Sequence, residues 1–150
     1  MKLSVTLAVF NEEANLGRCL ASIKNVADEL IVVDGQSGDK TVSIAKKYKA
    51  KIISVPNDPV NFHKQKELAN NNATGDWILQ LDADEVVTPE LAKEITQTID
   101  SNPAENGFWI PRANLIASES GLCKCWKASH SRCSWRRSPC PCCRARSWRK

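Results

Sequence analysis

The sequence predicts an α/β protein with a mostly parallel, Rossmann-like sheet and helices on both of its faces. Segments of apolar and β-branched residues alternate along the chain with segments whose apolar residues recur at helical spacing. The strand segments are almost continuously apolar, which is typical of parallel strands that are covered on both sides. The length of 150 residues indicates one domain.

Five segments are predicted to form strands. Residues 2–10 (KLSVTLAVF) and 29–34 (ELIVVD) are apolar and rich in β-branched residues. Residues 50–56 (AKIISVP) form a third strand that a proline closes. Residues 77–81 (WILQL) and 107–111 (GFWIP) are the fourth and fifth predicted strands.

Four helices are predicted between and after these strands. Asn11 suits the N-cap of the first helix, and acidic residues follow it in the favourable first turn. Residues 41–49 and 62–72 form the second and third helices. Thr88 and Pro89 start the fourth, as a cap followed by proline at the first helical position. Apolar residues at helical spacing mark the buried faces of the first and last helices: Leu16, Cys19, Leu20, Ile23, Leu91, Ile95 and Ile99.

The charge of the chain changes abruptly after residue 116. Residues 1–116 carry 12 basic and 16 acidic residues, a net charge of −4, whereas residues 117–150 carry 9 basic residues and one acid, a net charge of +8. Six of the seven cysteines also lie in this tail. The overall charge of +4 therefore describes neither part, and it does not indicate a nucleic-acid partner for the whole chain. We expect a truncated domain at residues 1–116 and a tail at residues 117–150.

Three interpretations of the tail remain open. Arginine and tryptophan residues are interleaved in it, as in basic arms that bind nucleic acid or a membrane surface. A translation out of frame after residue 116 would explain the sudden change of composition and the loss of apolar periodicity, and we favour this hypothesis, with the tail unstructured. Zinc binding is the third, although the spacing matches no common zinc pattern; its candidate ligands are Cys123, Cys125, His130, Cys133, Cys140, Cys142 and Cys143.

Carboxylates gather where the predicted strands end. Asp82, Asp84 and Glu85 follow the fourth strand within four positions, and Asp34 ends the second. Ligands of open parallel sheets bind at the carboxyl ends of the strands. In extended backbone the side chains at positions 82 and 84 point the same way, and two carboxylates on one side suit Mg²⁺ or Mn²⁺. An acidic turn on a solvated surface is the alternative interpretation.

Residues 1–116 resemble the donor-binding part of the inverting family 2 glycosyltransferases, which have the GT-A fold. Three segments in the family's order carry the resemblance: SVTLAVFNEEANLGRCLASI, ADELIVVDGQSGDKTVSIAKKY and ATGDWILQLDADEVVTPEL. The sequence looks especially like bacterial members related to lipopolysaccharide-core and other cell-envelope sugar transferases. The resemblance implies transfer of a sugar from a nucleoside diphosphate to an acceptor hydroxyl, assisted by Mg²⁺ or Mn²⁺.

The resemblance also implies roles for individual residues. Phe10 would stack on the nucleotide base, Asp34 would bond the base or ribose, and Lys66 would lie near the diphosphate. The structural alternatives are a core aromatic, a turn residue at a strand end and a solvated lysine. Glu85 is expected to support the site without binding metal, and His63 to be structural or exposed. The full implied set for nucleotide-sugar binding is Ala8, Val9, Phe10, Glu12, Asp34, Lys66 and Asp82, and for metal it is Asp84 and Asp82.

Some features depart from the family pattern. Gln36 and Gly38 are unusual in the run after Asp34, and Glu67 stands where the family tends to have asparagine. The family's general base lies well after the D-x-D motif, and the only acid after residue 116 is Glu119, so no general base is assigned. A donor-binding fragment without turnover is the main alternative function, and a sugar nucleotidyltransferase is the weaker one, because the chain lacks a glycine-rich basic loop after its first strand.

The expected partners are a nucleoside diphosphate sugar and a glycan or lipid-linked acceptor, with no nucleic acid. The start of the chain alternates apolar and polar residues and lacks a small-residue cleavage site. We therefore expect a cytoplasmic location, either free or in peripheral contact with the inner face of the membrane.

Overall fold

A computed structural model of the protein describes residues 1–118 and 121–126. The chain divides into two compact units, Met1–Ala104 and Glu105–Lys150. The predicted boundary after residue 116 falls inside a strand of the second unit.

The first unit contains a four-stranded sheet within the described residues. Its strands are β1 (Leu3–Val9), β2 (Glu29–Asp34), β3 (Lys51–Ser54) and β4 (Trp77–Leu81). They pair in the order β3-β2-β1-β4, and every pair is parallel. The prediction of a parallel α/β sheet is confirmed. In the register of the pairs, Val9 lies beside Asp34 and Leu7 beside Leu81, so the carboxyl ends of β1, β2 and β4 meet at one edge.

Helices connect the strands, as the alternating pattern predicts. They are α1 (Leu16–Ile23), α2 (Thr41–Lys47), α3 (Phe62–Asn71) and α4 (Pro89–Asp100). At the start of α4 the hydroxyl of Thr88 accepts a hydrogen bond from the amide of Leu91 at 3.3 Å, so the predicted cap is confirmed.

Helix α1 begins later than the sequence predicts. The predicted cap Asn11 has a φ of 54°, in the left-handed region, and the helix starts only at Leu16. Asparagine tolerates this conformation better than most residues. The prediction that Asn11 caps α1 is therefore wrong, because loop contacts described below fix this residue.

The core lies mainly on one face of the sheet. The predicted apolar residues of α1 are fully buried, and Ile99 of α4 joins the same cluster. On the opposite face, where α3 packs, the buried apolar cluster is small and consists of Ile31, Val33 and Ala69. The buried residues of α3 itself are Gln65 and Ala69.

The second unit contains an antiparallel pair of strands, β5 (Ala113–Ser118) and β6 (Gly121–Trp126). The fifth strand predicted at 107–111 is wrong, because those residues have no regular structure and the strand begins at Ala113. Pro111 lacks the amide that a strand ladder needs, and Trp109 is 96% exposed. The tail was expected to be unstructured, and strand β6 shows that this is wrong for Gly121–Trp126. In this strand Leu122, Lys124 and Trp126 alternate with two cysteines.

The rest of the tail, and with it most of the predicted zinc ligands, lies outside the described residues. Among the residues that the structure describes, no helix is long and apolar enough to span a bilayer.

Candidate functional site

A cleft lies at the carboxyl ends of β1 and β4, with a volume of about 450 Å³. Seven of the eight predicted site residues line it, and Asp34 does not. The sequence did not point to Phe62 or to Ala83, which complete the lining. The predicted residues that the cleft brings together are Ala8, Val9, Phe10, Glu12, Lys66, Asp82 and Asp84.

The two aspartates of the D-x-D motif lie in a turn that follows β4. The amide of Glu85 donates to the carbonyl of Asp82 at 3.0 Å, which closes the turn. The expected extended backbone at these positions is therefore wrong. Ala83 is nevertheless buried between Asp82 and Asp84, and both aspartates line the cleft. Both aspartates thus line one cleft, in a turn that buries the alanine between them.

Glu85 stabilises this turn from within. Its Oε2 atom accepts a hydrogen bond from the amide of Asp82 at 2.9 Å. Together with the bond in the opposite direction, this fixes both backbone groups of Asp82 to one residue. The arrangement agrees with the expectation that Glu85 supports the site.

Helix α1 holds the two ends of the same loop. The thiol of Cys19 lies 3.7 Å from the carbonyl oxygen of Asp82, and the amide of Val87 donates to the hydroxyl of Ser22 at 3.1 Å. The hydroxyl of Ser22 also donates to the carbonyl of Cys19 at 2.6 Å. Sequence reasoning assigned Cys19 only to the core and missed Ser22, since neither lies near the motif along the chain.

Burial raises the pKa of the Cys19 thiol to about 12, and the nearby carboxylates of Glu85, Asp84 and Asp82 add to this effect. The thiol therefore stays protonated at neutral pH and can act as the hydrogen-bond donor to Asp82.

Lys66 contributes the one ammonium among the residues that line the cleft. Its Nζ lies 2.5 Å from Oδ1 of Asp82 and 5.3 Å from the centre of the Phe62 ring. The Lys66 side chain is 18% exposed and the Asp82 side chain 34%, so this ion pair is partly shielded from water. The interpretation of Lys66 as a solvated surface lysine is wrong, because its head group points to the D-x-D turn.

The loops after β1 and β2 bind one another. The amide of Asn11 donates to the hydroxyl of Ser37 at 2.9 Å, and the side-chain oxygen of Asn11 accepts from the amide of Gly38 at 2.9 Å. The amide of Glu12 donates to the hydroxyl of Thr41 at 2.8 Å. These bonds explain why Asn11 leaves the helix, and they fix the position of Phe10 and Glu12 at the cleft.

Asp34 is 2% exposed and bonds its own loop. Its carboxylate accepts from the amides of Gln36 and Ser37 at 3.1 to 3.3 Å. Gln36 adopts a left-handed φ of 64°, which this turn requires. The structure thus gives Asp34 the role of a turn residue at a strand end, and contact with a base or ribose stays a prediction. His63 is exposed, as one expectation had it.

The donor set suits one divalent cation with few protein ligands. Within the described residues, no group of three or more His, Cys, Asp or Glu side chains is placed to hold a metal ion. Mg²⁺ and Mn²⁺ are often bound by one or two carboxylates together with substrate phosphates. The exposed carboxylate of Asp84 and the paired carboxylate of Asp82 fit that description.

Comparison with known proteins agrees with the fold and the motif order. The model of the family described as glycosyl transferase family 2 matches residues 4–114. The chain is 44% identical over 94 residues to an uncharacterised glycosyltransferase of Rickettsia typhi, and the aligned segment covers 63% of this chain and 32% of the relative. A TPR repeat-containing protein of Synechococcus elongatus is 40% identical over 118 residues, covering 79% of this chain and 29% of the relative.

The structure also resembles solved structures, among them those of S. aureus TarS. Residues 1–349 of S. aureus TarS superpose with a TM-score of 0.60 at 26% identity, covering 75% of this chain and 39% of that one. The complexes of TarS with UDP and with UDP-GlcNAc give TM-scores of 0.60 and 0.58. The fold is that of the GT-A glycosyltransferases. The chain belongs to glycosyl transferase family 2, and it spans about a third of the length of the curated relatives that it matches.

Proposed function

We propose that this chain binds the donor of a glycosyltransferase, a nucleoside diphosphate sugar whose sugar passes to an acceptor hydroxyl. Uridine diphosphate is the nucleotide we favour, because TarS is solved with UDP and with UDP-GlcNAc at 26% identity. Synthesis of cell-envelope glycans or lipopolysaccharide is the proposed setting, with a glycan or lipid-linked acceptor. The reaction would run at the inner face of the membrane.

The observation that carries this proposal is the composition of one cleft. It places an aromatic ring (Phe10), an ammonium (Lys66) and an exposed carboxylate (Asp84) at the carboxyl edge of a parallel sheet. A base can stack on an aromatic ring, and a diphosphate needs cationic partners. A carboxylate would hold a metal ion that supplies further positive charge to the diphosphate. Such ligands bind at this edge of open parallel sheets.

Asp84 would hold the metal ion, and Asp82 would be its second carboxylate or lie near the ribose. When bound, Mg²⁺ or Mn²⁺ neutralises the negative charge that develops on the leaving diphosphate. Phe10 and Glu12 are held in place by the bonded loops after β1 and β2. Asp34 would then act indirectly, by fixing the loop of residues 35–38 beside the base.

Calorimetric titration of the full chain with UDP, with and without Mn²⁺, tests donor binding. We expect UDP binding that depends on Mn²⁺. We expect Asp84→Asn to weaken this binding by a factor of about ten or more, because asparagine keeps the shape of the side chain but lacks the negative charge that holds the metal ion. Glu94→Gln is the matched control, because Glu94 is exposed on α4. Binding of UDP by the Asp84 variant with parental affinity would disprove the metal assignment.

Hydrolysis of a UDP-sugar in the absence of acceptor tests turnover separately from binding. A complete glycosyltransferase site slowly transfers the sugar to water and so forms free sugar and UDP. A donor-binding fragment binds the UDP-sugar but leaves it intact. The second result would favour the alternative of a binding fragment, and it would leave the donor site itself intact.

A further inference from the structure

Lys66 forms an ion pair with Asp82, one of the two carboxylates that would hold a metal ion at the D-x-D motif. Lys66 Nζ lies 2.5 Å from Oδ1 of Asp82, which is within direct hydrogen-bond distance of one of the two proposed ligand carboxylates. A divalent ion on the same oxygen would lie close to the ammonium and be repelled by it. The ammonium and the metal ion therefore compete for Asp82.

The charges that line the cleft make this competition consequential. Glu12, Asp82 and Asp84 are the carboxylates of the lining, and Lys66 is its cation. A diphosphate entering beside three carboxylates needs more positive charge than Lys66 alone supplies. A metal ion alone would have to displace Lys66, whose ammonium would then lose its charged partner in a partly shielded site.

A diphosphate would resolve the competition, because it offers Lys66 a new anionic partner in the same cleft. The lysine side chain has a flexible four-carbon stem, so its head group can move while its backbone stays fixed. The helix is anchored independently one turn further on, where Asn70 accepts from Thr6 at 2.7 Å and donates to Gln80 at 3.1 Å.

We propose that Lys66 is an exchangeable counter-ion that couples metal binding to nucleotide binding. In the donor-free protein its ammonium pairs with Asp82, and when a metal–diphosphate complex enters, Asp82 turns to the metal and Lys66 turns to the diphosphate. This inference rests on the proposed donor site and adds a rule to it. The metal ion binds weakly alone and tightly together with the nucleotide, and the nucleotide shows the reciprocal dependence.

Titration of the full chain with Mn²⁺ alone, followed by the electron paramagnetic resonance signal of free Mn²⁺, tests the exchange without any turnover. We expect Lys66→Gln and Lys66→Met to bind Mn²⁺ about tenfold more tightly than the parent, because the competing charge is gone. Lys66→Arg keeps the charge and should bind Mn²⁺ as weakly as the parent. Lys64→Gln, on an exposed position of the same helix, is the matched control and should also match the parent.

The second arm measures UDP affinity at saturating Mn²⁺, where both neutral Lys66 variants should bind UDP about tenfold more weakly, because the diphosphate loses an ammonium. Opposite signs in the two arms are the signature of exchange. The inference is overturned if the neutral variants bind Mn²⁺ no more tightly than the parent, or if Lys66→Arg behaves like them. Failure of the parent to bind UDP would overturn the proposed function, while the Mn²⁺ arm would still show whether Lys66 competes with the metal ion for Asp82.

Discussion

The two faces of β1 differ in chemistry although all seven of its residues are buried. Leu3, Val5, Leu7 and Val9 point to the apolar cluster that α1 and α4 complete. On the other face Ser4 donates to Glu29 at 2.6 Å and Thr6 donates to Asn70 of α3. The apolar face is stabilised by burial without regard to direction, whereas the polar face fixes positions through directed hydrogen bonds.

The difference shows how the sheet serves the cleft. Helix α3 carries Phe62 and Lys66 into the lining, and it contributes little apolar surface of its own. The polar link Thr6–Asn70–Gln80, which joins α3 to β1 and β4, therefore helps to fix the position of the helix. The apolar face provides most of the stability, and the polar face fixes the position of α3 at the cleft.

The apolar face should show the largest response to truncation. Leu20 is fully buried in the main cluster, so we expect Leu20→Ala to lower the free energy of unfolding by about 3 kcal/mol through lost burial and a residual cavity. Leu68→Ala is the matched change on the α3 face, where the side chain is only partly buried, and about 1 kcal/mol is expected. Urea denaturation measures both. Equal losses would contradict the proposed contrast between the faces.

On the polar face, the next largest effect is expected at a close approach of two backbones. A Cβ added to Gly75 would lie 2.8 Å from the amide nitrogen of Ser4 and 2.9 Å from the carbonyl oxygen of Lys2. Backbone cannot move aside cheaply, so Gly75→Ala should cost about 2 kcal/mol. Gly38→Ala is the control, because a Cβ there meets nothing within 4 Å. Thermal unfolding of both variants separates the clash from the loss of glycine itself.

Elements set by local pattern were predicted well from the sequence. Strands β2 and β4 have the predicted bounds, because continuous β-branched and apolar residues end there at an aspartate or just before one. The cap and first turn of α4 followed from Thr88 and Pro89 in the same way. Each of these signals lies within a few residues of the element that it defines.

Features that depend on contacts between distant segments were not predicted. Asn11 is a residue type that is favoured at helix caps. However, its hydrogen bonds to Ser37 and Gly38, which lie 26 and 27 positions further along the chain, hold it in a left-handed conformation. Ser22 supports the D-x-D loop from 65 positions away. Asp82 and Asp84 were found from their place after a strand, and five further residues of the cleft from family resemblance. The residues that support them require the three-dimensional structure.

The hydrogen-bond chain from β1 through α3 to β4 should have a moderate effect when it is broken. Thr6→Val keeps the shape of the buried side chain but removes the donor to Asn70, so we expect a loss of about 1.5 kcal/mol. Thr96→Val, at an exposed position of α4, should change stability by less than about 0.5 kcal/mol. The Thr6 variant should also weaken UDP binding, because α3 carries Lys66. Unchanged stability and binding would show that apolar contacts alone position α3.

The smallest expected effect is an alkaline response of the apolar face. The Cys19 pKa rises from its ordinary value of 9.0 to about 12 in the folded protein, chiefly through burial, so below about pH 9 the thiol is protonated in both the folded and the unfolded chain. As pH rises from 9 towards 12, the unfolded chain releases this proton and the folded protein retains it, so the stability contribution is progressively lost. Between pH 8 and pH 10 we expect the parent to lose about 1 kcal/mol more than Cys19→Ala, which lacks the thiol.

Urea denaturation at the two pH values measures this difference, and the comparison removes the titration of lysines that both proteins share. Parallel losses in the two proteins would mean that the thiol is far less shielded beneath the D-x-D loop than its burial and its contact with Asp82 indicate.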